Sequence, residues 1–258
     1  MGTLASNNKQ SRQARAEQMR KERERADARR RNGITVAVVA IVVVLIVVAG
    51  FAVKNELDSG SDPGSTPSNL RNNVAIDYDT KAATGKPADG DPVTVTLYED
   101  YQCPACKAFH QSSSQQLEKL VKQGTITIEY RPIAFLDRMS STNYSSRALN
   151  AAACVVDAKG PKEFHAMHDL LFVNQPPEGG DGLTDEQLVE FANQAGATGV
   201  ESCIKDGEFT EWTETVTKKA SDEGVSSTPT VKVDGKVVGG GGVPSPQELQ
   251  SAIEQASK

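Results

Sequence analysis

The chain has 258 residues, with 28 Lys plus Arg against 34 Asp plus Glu and a formal net charge of −6. Its 38% hydrophobic content is enough to pack one large domain or two small ones. These figures exclude a wholly disordered chain, a collagen-like repeat and a multi-span membrane protein, and four cysteines are too few for a disulfide-stapled scaffold.

Charge is unevenly spread. Residues 1–33 carry ten Lys and Arg against four acids, which leaves the rest of the chain with 18 basic and 30 acidic residues. So acidic a body argues against nucleic-acid binding, which needs a basic face. The basic arm is better explained by the apolar segment next to it. Residues 34–53 are twenty uncharged, Pro-free positions, a helix length of about 30 Å, which matches a hydrocarbon core. A lone span must satisfy its own backbone, so the expectation is one transmembrane helix. The Arg-rich flank places the N-terminus in the cytoplasm and residues 54–258 outside, in a single-pass cell-membrane protein. A cleaved signal peptide is the competing reading, but its apolar run is normally about 7–15 residues and its charged leader shorter. Residues 54–91 are rich in Ser, Asp, Gly and Pro and read as a flexible linker, with a reach on the order of 35 Å.

The expected folded domain covers residues 92–258. Residues 93–98 (VTVTLY) alternate and are β-branched, a strand. A helix runs from the Cys103-Pro-Ala-Cys106 segment to about Gln123, with Phe109, Leu117, Leu120 and Val121 at helical spacing and Gly124 suited to the position just past its end. Residues 125–130 (TITIEY) alternate again, which completes a βαβ unit. From about 137 to 224 the pattern is helical, with helices near 141–156, 162–173, 199–206 and 208–222, and another opened by the capping box Thr184–Gln187. Strands return at 229–233 and 236–239 around Asp234-Gly235, a type I′ hairpin signal. Ser245, Pro246 and Glu248 then start the last helix as N-cap, N1 and N3.

Cys103-Pro104-Ala105-Cys106 is the most informative segment. Half of a zinc site is one reading, but no second Cys-x-x-Cys or His knuckle accompanies it. An inert surface disulfide is another. The redox reading has a physical cause. Pro104 fits N1, so Cys103 sits at or beside the N-cap, where free N–H groups and the helix dipole favour a thiolate. Cys106 is one turn in, placed to attack a mixed disulfide at Cys103. Stabilising the thiolate stabilises the reduced form and makes the disulfide more oxidising. Pro104 and Ala105 shape that helix end and so tune it.

The strand–CPAC–helix, the helical middle and Thr228-Pro-Thr230 before a hairpin resemble the DsbA-like thiol:disulfide oxidoreductases of the thioredoxin superfamily. The phrases Tyr101-Gln-Cys-Pro-Ala-Cys106 and Met167-His-Asp-Leu-Leu-Phe172 are similar to family patterns, and the apolar segment resembles that of actinobacterial members. The resemblance implies an α/β thioredoxin fold with a helical domain inserted at about 137–207, preceded by the transmembrane helix. It implies Cys103 as nucleophile, Cys106 as resolving thiol, and a cis Thr228–Pro229 bond facing the disulfide, whose exposed Thr228 backbone pairs with an extended substrate. An ordinary strand-start proline is the plain alternative.

The implied activity is introduction of disulfides into reduced, unfolded exported proteins. No cofactor is needed beyond the Cys103–Cys106 couple, and a VKOR-like membrane partner reoxidises it. Isomerase or reductase action on the same fold, or a thiol-based metallochaperone using Cys103, Cys106 and His110, stay open. One departure stands out: the buried acid six residues before the first cysteine is here Leu97, with Glu99 and Asp100 nearby and undecided. With Cys103 and Cys106 paired locally, Cys154 and Cys203 remain for a structural bridge, which in the chain-entropy view contributes about 4 kcal/mol; free thiols or a second redox pair are the alternatives. His110 is expected to face solvent, His165 and His168 to pack or face water within a helix, and Trp212 to anchor the core.

Overall fold

The structure is a computed structural model and describes residues 65–258. The basic arm, the apolar segment 34–53 and the first part of the linker lie outside the described residues. Among the described residues no helix is long and apolar enough to cross a membrane.

The first elements correct the linker expectation, which ran to residue 91. Ile76–Tyr78 form a strand, β1, and Thr80–Thr84 a short helix, α1. Ile76 and Tyr78 are both buried, and their backbone pairs antiparallel with the strand at 126–130. Asp79 caps α1 by accepting from the Ala82 amide at 2.8 Å, and Gly85 closes it at φ 78°. Elements of three and five residues are too short to show a period, so polar neighbours hid them.

Strand β2 (Val93–Tyr98), helix α2 (Pro104–Lys122) and strand β3 (Ile126–Tyr130) form the expected βαβ unit. β2 and β3 are parallel, with Val95 opposite Ile128 and Leu97 opposite Tyr130. Parallel neighbours need a crossover, and α2 supplies it. Its buried residues Cys106, Phe109, Ser113, Leu117 and Val121 make one stripe at three- and four-residue spacing. Cys106 therefore points into the same core that holds the helix on the sheet.

A 3-10 turn at Asp137–Met139 opens the helical insertion, which continues through α3 (Tyr144–Lys159), α4 (Pro161–Val173), α5 (Asp185–Gln194) and α6 (Glu201–Asp206). From Ala148 to Val156 α3 is buried almost all round, as befits a helix surrounded by others. The Thr184 capping box forms at the start of α5. Cys154 on α3 and Cys203 on α6 are joined by a disulfide across a separation of 49 residues. One turn before Cys154, Asn150 donates to the Ile204 carbonyl at 3.1 Å and accepts from the Phe209 amide at 2.8 Å. The same face of α3 is thus tied covalently and by hydrogen bonds.

Helix α7 (Thr210–Asp222) returns the chain to the sheet. Trp212 is buried on it and donates to the Asn73 carbonyl at 2.8 Å, which fixes the segment leading into β1. Strands β4 (Thr230–Val233) and β5 (Lys236–Val237) pair across Asp234 and Gly235, whose φ values of 44° and 79° suit the expected type I′ turn. β5 is shorter than expected, because Gly239–Gly241 curl into a 3-10 turn. Helix α8 (Pro246–Ala256) starts with the Ser245–Glu248 capping box. Strand order is β1-β3-β2-β4-β5, with β2 central. This is a thioredoxin-like α/β fold with a helical insertion between β3 and α7. The C-terminal end of the central strand delivers the chain to the N-terminus of α2.

Candidate functional site

The turn between β2 and α2 is held by Asp100. Its Oδ1 accepts from the Gln102 amide at 2.8 Å and the Ser145 hydroxyl at 2.6 Å, and its Oδ2 accepts from the Leu136 amide at 2.8 Å. Burial pushes its carboxyl up to about 6 against these bonds. From the end of α4, Gln175 Nε2 donates to the carbonyls of Tyr101 and Cys103, each at 3.0 Å. The insertion therefore grips the turn from two sides.

Cys103 is the N-cap of α2 and Pro104 stands in its first turn. Both thiols are free; Cys103 is 7% exposed and Cys106 fully buried. The Cys103 thiol donates to the Thr228 carbonyl at 3.4 Å, and Thr228–Pro229 is cis. The hydrogen bond from the Cys106 thiol, helped by the Thr228 side chain and by the backbone amides of Cys106 and Ala105, holds Cys103 down at about 6 against burial. Burial, and then that same hydrogen bond, pushes the Cys106 thiol far up. A thiol for which the thiolate is favoured thus lies beside a thiol that keeps its proton. Cys103, Pro104, Ala105, Cys106, Thr228 and Pro229 come together here, while Cys154 and Cys203 serve the insertion.

Sequence reasoning left the buried acid open between Glu99 and Asp100. Asp100 is spent on the turn. Glu99 is 2% exposed, and neither of its carboxylate oxygens has a hydrogen-bond partner. Burial, then the charge of Cys103, pushes its carboxyl up to about 8. Leu97, at the family's position, lies two residues earlier and lines the same small cavity as Glu99. Strand alternation puts 97 and 99 on one face, and this was the available signal.

The three histidines also converge, which no spacing in the sequence announced. His110 does not face solvent as expected: its Nε2 meets Asp169 Oδ1 at 2.8 Å and its ring stacks on Phe172. His165 stacks on Tyr78 and shares a 2.8 Å hydrogen bond with the Tyr130 hydroxyl. His168 is buried, with Nε2 3.4 Å from Glu99 Oε2 and Nδ1 3.3 Å from the Tyr101 hydroxyl. Burial keeps it neutral, well below the ordinary imidazole range. Among the described residues no group of three or more His, Cys, Asp and Glu side chains is arranged to hold a metal ion.

A dithiol at a helix N-terminus, faced by a cis-proline loop on this sheet, defines a thioredoxin-fold dithiol protein. The thioredoxin family pattern matches residues 79–255, and the chain belongs to that family, in its DsbA-like thiol:disulfide oxidoreductase branch. It is similar to reduced DsbA from Mycobacterium tuberculosis, at 32% identity over 70% of this chain and 91% of that one, with a TM-score of 0.59. Reduced DsbG from the same organism, a disulfide bond oxidoreductase, is 32% identical over 77% of this chain and 90% of its own, with a TM-score of 0.60. Over 122 residues the chain is 34% identical to the serine/threonine-protein kinase PknE of M. tuberculosis, matching 45% of this chain and only 21% of the kinase.

Proposed function

We propose that this protein is an extracytoplasmic dithiol oxidase that introduces disulfides into exported proteins through Cys103 and Cys106. The observation that carries the reading is the contrast between the two thiols: Cys103 held at about 6 at a helix N-terminus, Cys106 sealed beneath it. In the oxidised form a substrate thiolate attacks Cys103 Sγ. The Cys103–Cys106 bond breaks, its electron pair goes to Cys106, and a mixed disulfide forms. A second substrate thiolate attacks the substrate sulfur of that bond, and Cys103 leaves as a thiolate. The substrate has lost two electrons and the pair Cys103/Cys106 has gained them.

The low pKa makes Cys103 a good leaving group in the last step. An extended substrate segment is read by the backbone of Thr228, whose carbonyl already faces Cys103 Sγ. The apolar run 34–53 and the Arg-rich arm support a single-pass anchor with the N-terminus in the cytoplasm. Reoxidation then falls to a VKOR-like membrane partner.

The test is the Cys103–Cys106 reduction potential of the full chain, measured by equilibration with glutathione buffers. A value near about −120 mV is expected of a strong oxidant. A value near about −270 mV makes the protein a reductant and overturns the oxidase reading.

A further inference from the structure

Each turnover of the proposed oxidase moves a proton that the exposed surface cannot reach. When Cys106 leaves as a thiolate it must be protonated, and when it attacks a mixed disulfide it must lose that proton. Cys106 is fully buried. Glu99 is the neighbouring acid, and after burial and the Cys103 hydrogen bond its charge is the next influence on the Cys106 thiol. Glu99 is itself sealed from solvent, with both carboxylate oxygens unpartnered.

A cavity of about 20 Å³, room for one water, lies against Glu99, with Leu97, Phe109, Leu117 and Ile128 as its apolar walls. His110, His165, His168, Asp169 and the Tyr130 ring line its other sides. Side-chain exposure rises outward along these groups, from 3% at Glu99 and His168, through 10% at His110 and 13% at His165, to 42% at Asp169. Asp169 joins the two outer histidines, meeting His110 Nε2 at 2.8 Å and His165 Nε2 at 3.7 Å.

We propose that Glu99 exchanges its proton with solvent through this water-sized cavity, with the His110–Asp169 pair and His165 as the outer relay. The inference rests on Cys103 and Cys106 acting as the proposed redox pair. Glu99 gives its carboxyl proton to the departing Cys106 thiolate, and the resulting carboxylate regains one through the cavity from the outer pair. The pair is reprotonated at its solvent-facing side, where Asp169 is the most exposed group on the route. In the reverse direction Glu99 accepts the Cys106 proton and passes it out. No electrons move along the route.

The groups around it fit this division. On the β2–α2 side Tyr101 holds His168, and on α2 Glu118 faces His165 Nε2 at 3.0 Å. Tyr130 on β3 lines the cavity and Tyr78 on β1 stacks on His165 behind it, and burial pushes both phenols up, so they keep their protons. Neutral His168 stands with Nε2 3.4 Å from Glu99 Oε2 and adds no charge beside it.

The experiment monitors the reduced full chain after mixing with glutathione disulfide. Formation of the Cys103–glutathione mixed disulfide is recorded first. That step expels one glutathione thiolate; release of the second, which is the attack by Cys106 on the mixed disulfide, is recorded next and divided by the amount of mixed disulfide. Glu99→Gln is expected to slow release about tenfold or more at pH 7 and to flatten its pH profile. Asp169→Asn, on a half-exposed side chain whose replacement leaves the core intact, is expected to slow release about threefold or more, with recovery on adding imidazole. Release at the wild-type rate and with the wild-type pH profile in either variant overturns the route. Failure of wild-type Cys103 to form the mixed disulfide at all overturns the oxidase reading instead.

Discussion

Replacing Cys106 with alanine removes the group that contributes most to holding the Cys103 thiolate. With Cys106 in place the Cys103 thiol falls from 9.0 to about 6. Because the folded value lies below the ordinary one, the stabilisation of the reduced protein is complete above about pH 9 and is lost as pH falls through about 6. At pH 7 it amounts to about 1.4 kcal/mol, or about 30 mV in a two-electron potential. Solvent reaches one side of Cys103 and screens the interaction, so these figures are upper bounds. The assay is the rate of iodoacetamide alkylation of the single remaining site thiol from pH 4 to 10. Cys106→Ala is expected to move the inflection up by about one to two units, whereas Cys106→Ser, which keeps a hydroxyl donor, moves it less. The same inflection in the alanine variant as in the reduced wild-type protein refutes the reasoning, and would leave the helix N-terminus and backbone amides as the whole cause.

Two other expectations can be checked by equilibrium unfolding. Removing the Cys154–Cys203 bridge by the double alanine substitution is expected to cost up to about 4 kcal/mol in guanidinium titrations, given its 49-residue separation; a loss below about 1 kcal/mol means the helices hold the insertion without it. Glu99→Gln is expected to stabilise the protein. The carboxyl is raised from 4.5 to about 8, so its favourable contribution is present below about pH 4.5 and lost as pH rises through about 8. Urea titrations at pH 7 should show a gain of up to about 3 kcal/mol, and at pH 4 almost none. A variant no more stable than wild type at pH 7 would show that Glu99 is not buried at a cost.

Much of the site was legible because it depends on local chemistry. Pro104 after Cys103 marks a helix start, and Ser245 and Thr184 mark two more through their capping boxes. The pairing of β2 with β3 and the hairpin turn at Asp234–Gly235 come from alternation and from a dipeptide that accepts positive φ. β1 was not legible: three residues in a polar stretch become a strand only because β3 offers an unpaired edge. The burial of Glu99 extends the alternation that begins at Leu97, but its lack of partners is a property of the packed protein. The gathering of His110, His165 and His168 depends on α4 packing against α2, which sequence spacing within either helix does not reveal.

The Cys154–Cys203 bond has a bearing on how this protein is made. It clamps α3 to α6, and α3 also supplies Ser145, which steadies Asp100 and through it the turn that carries Cys103. A newly synthesised copy begins with four reduced cysteines, so its insertion matures only after an oxidant has acted on it. If copies of this protein supply that oxidation, each generation is a client of the one before it. The cell then inherits, along with the gene, a working stock of the finished enzyme.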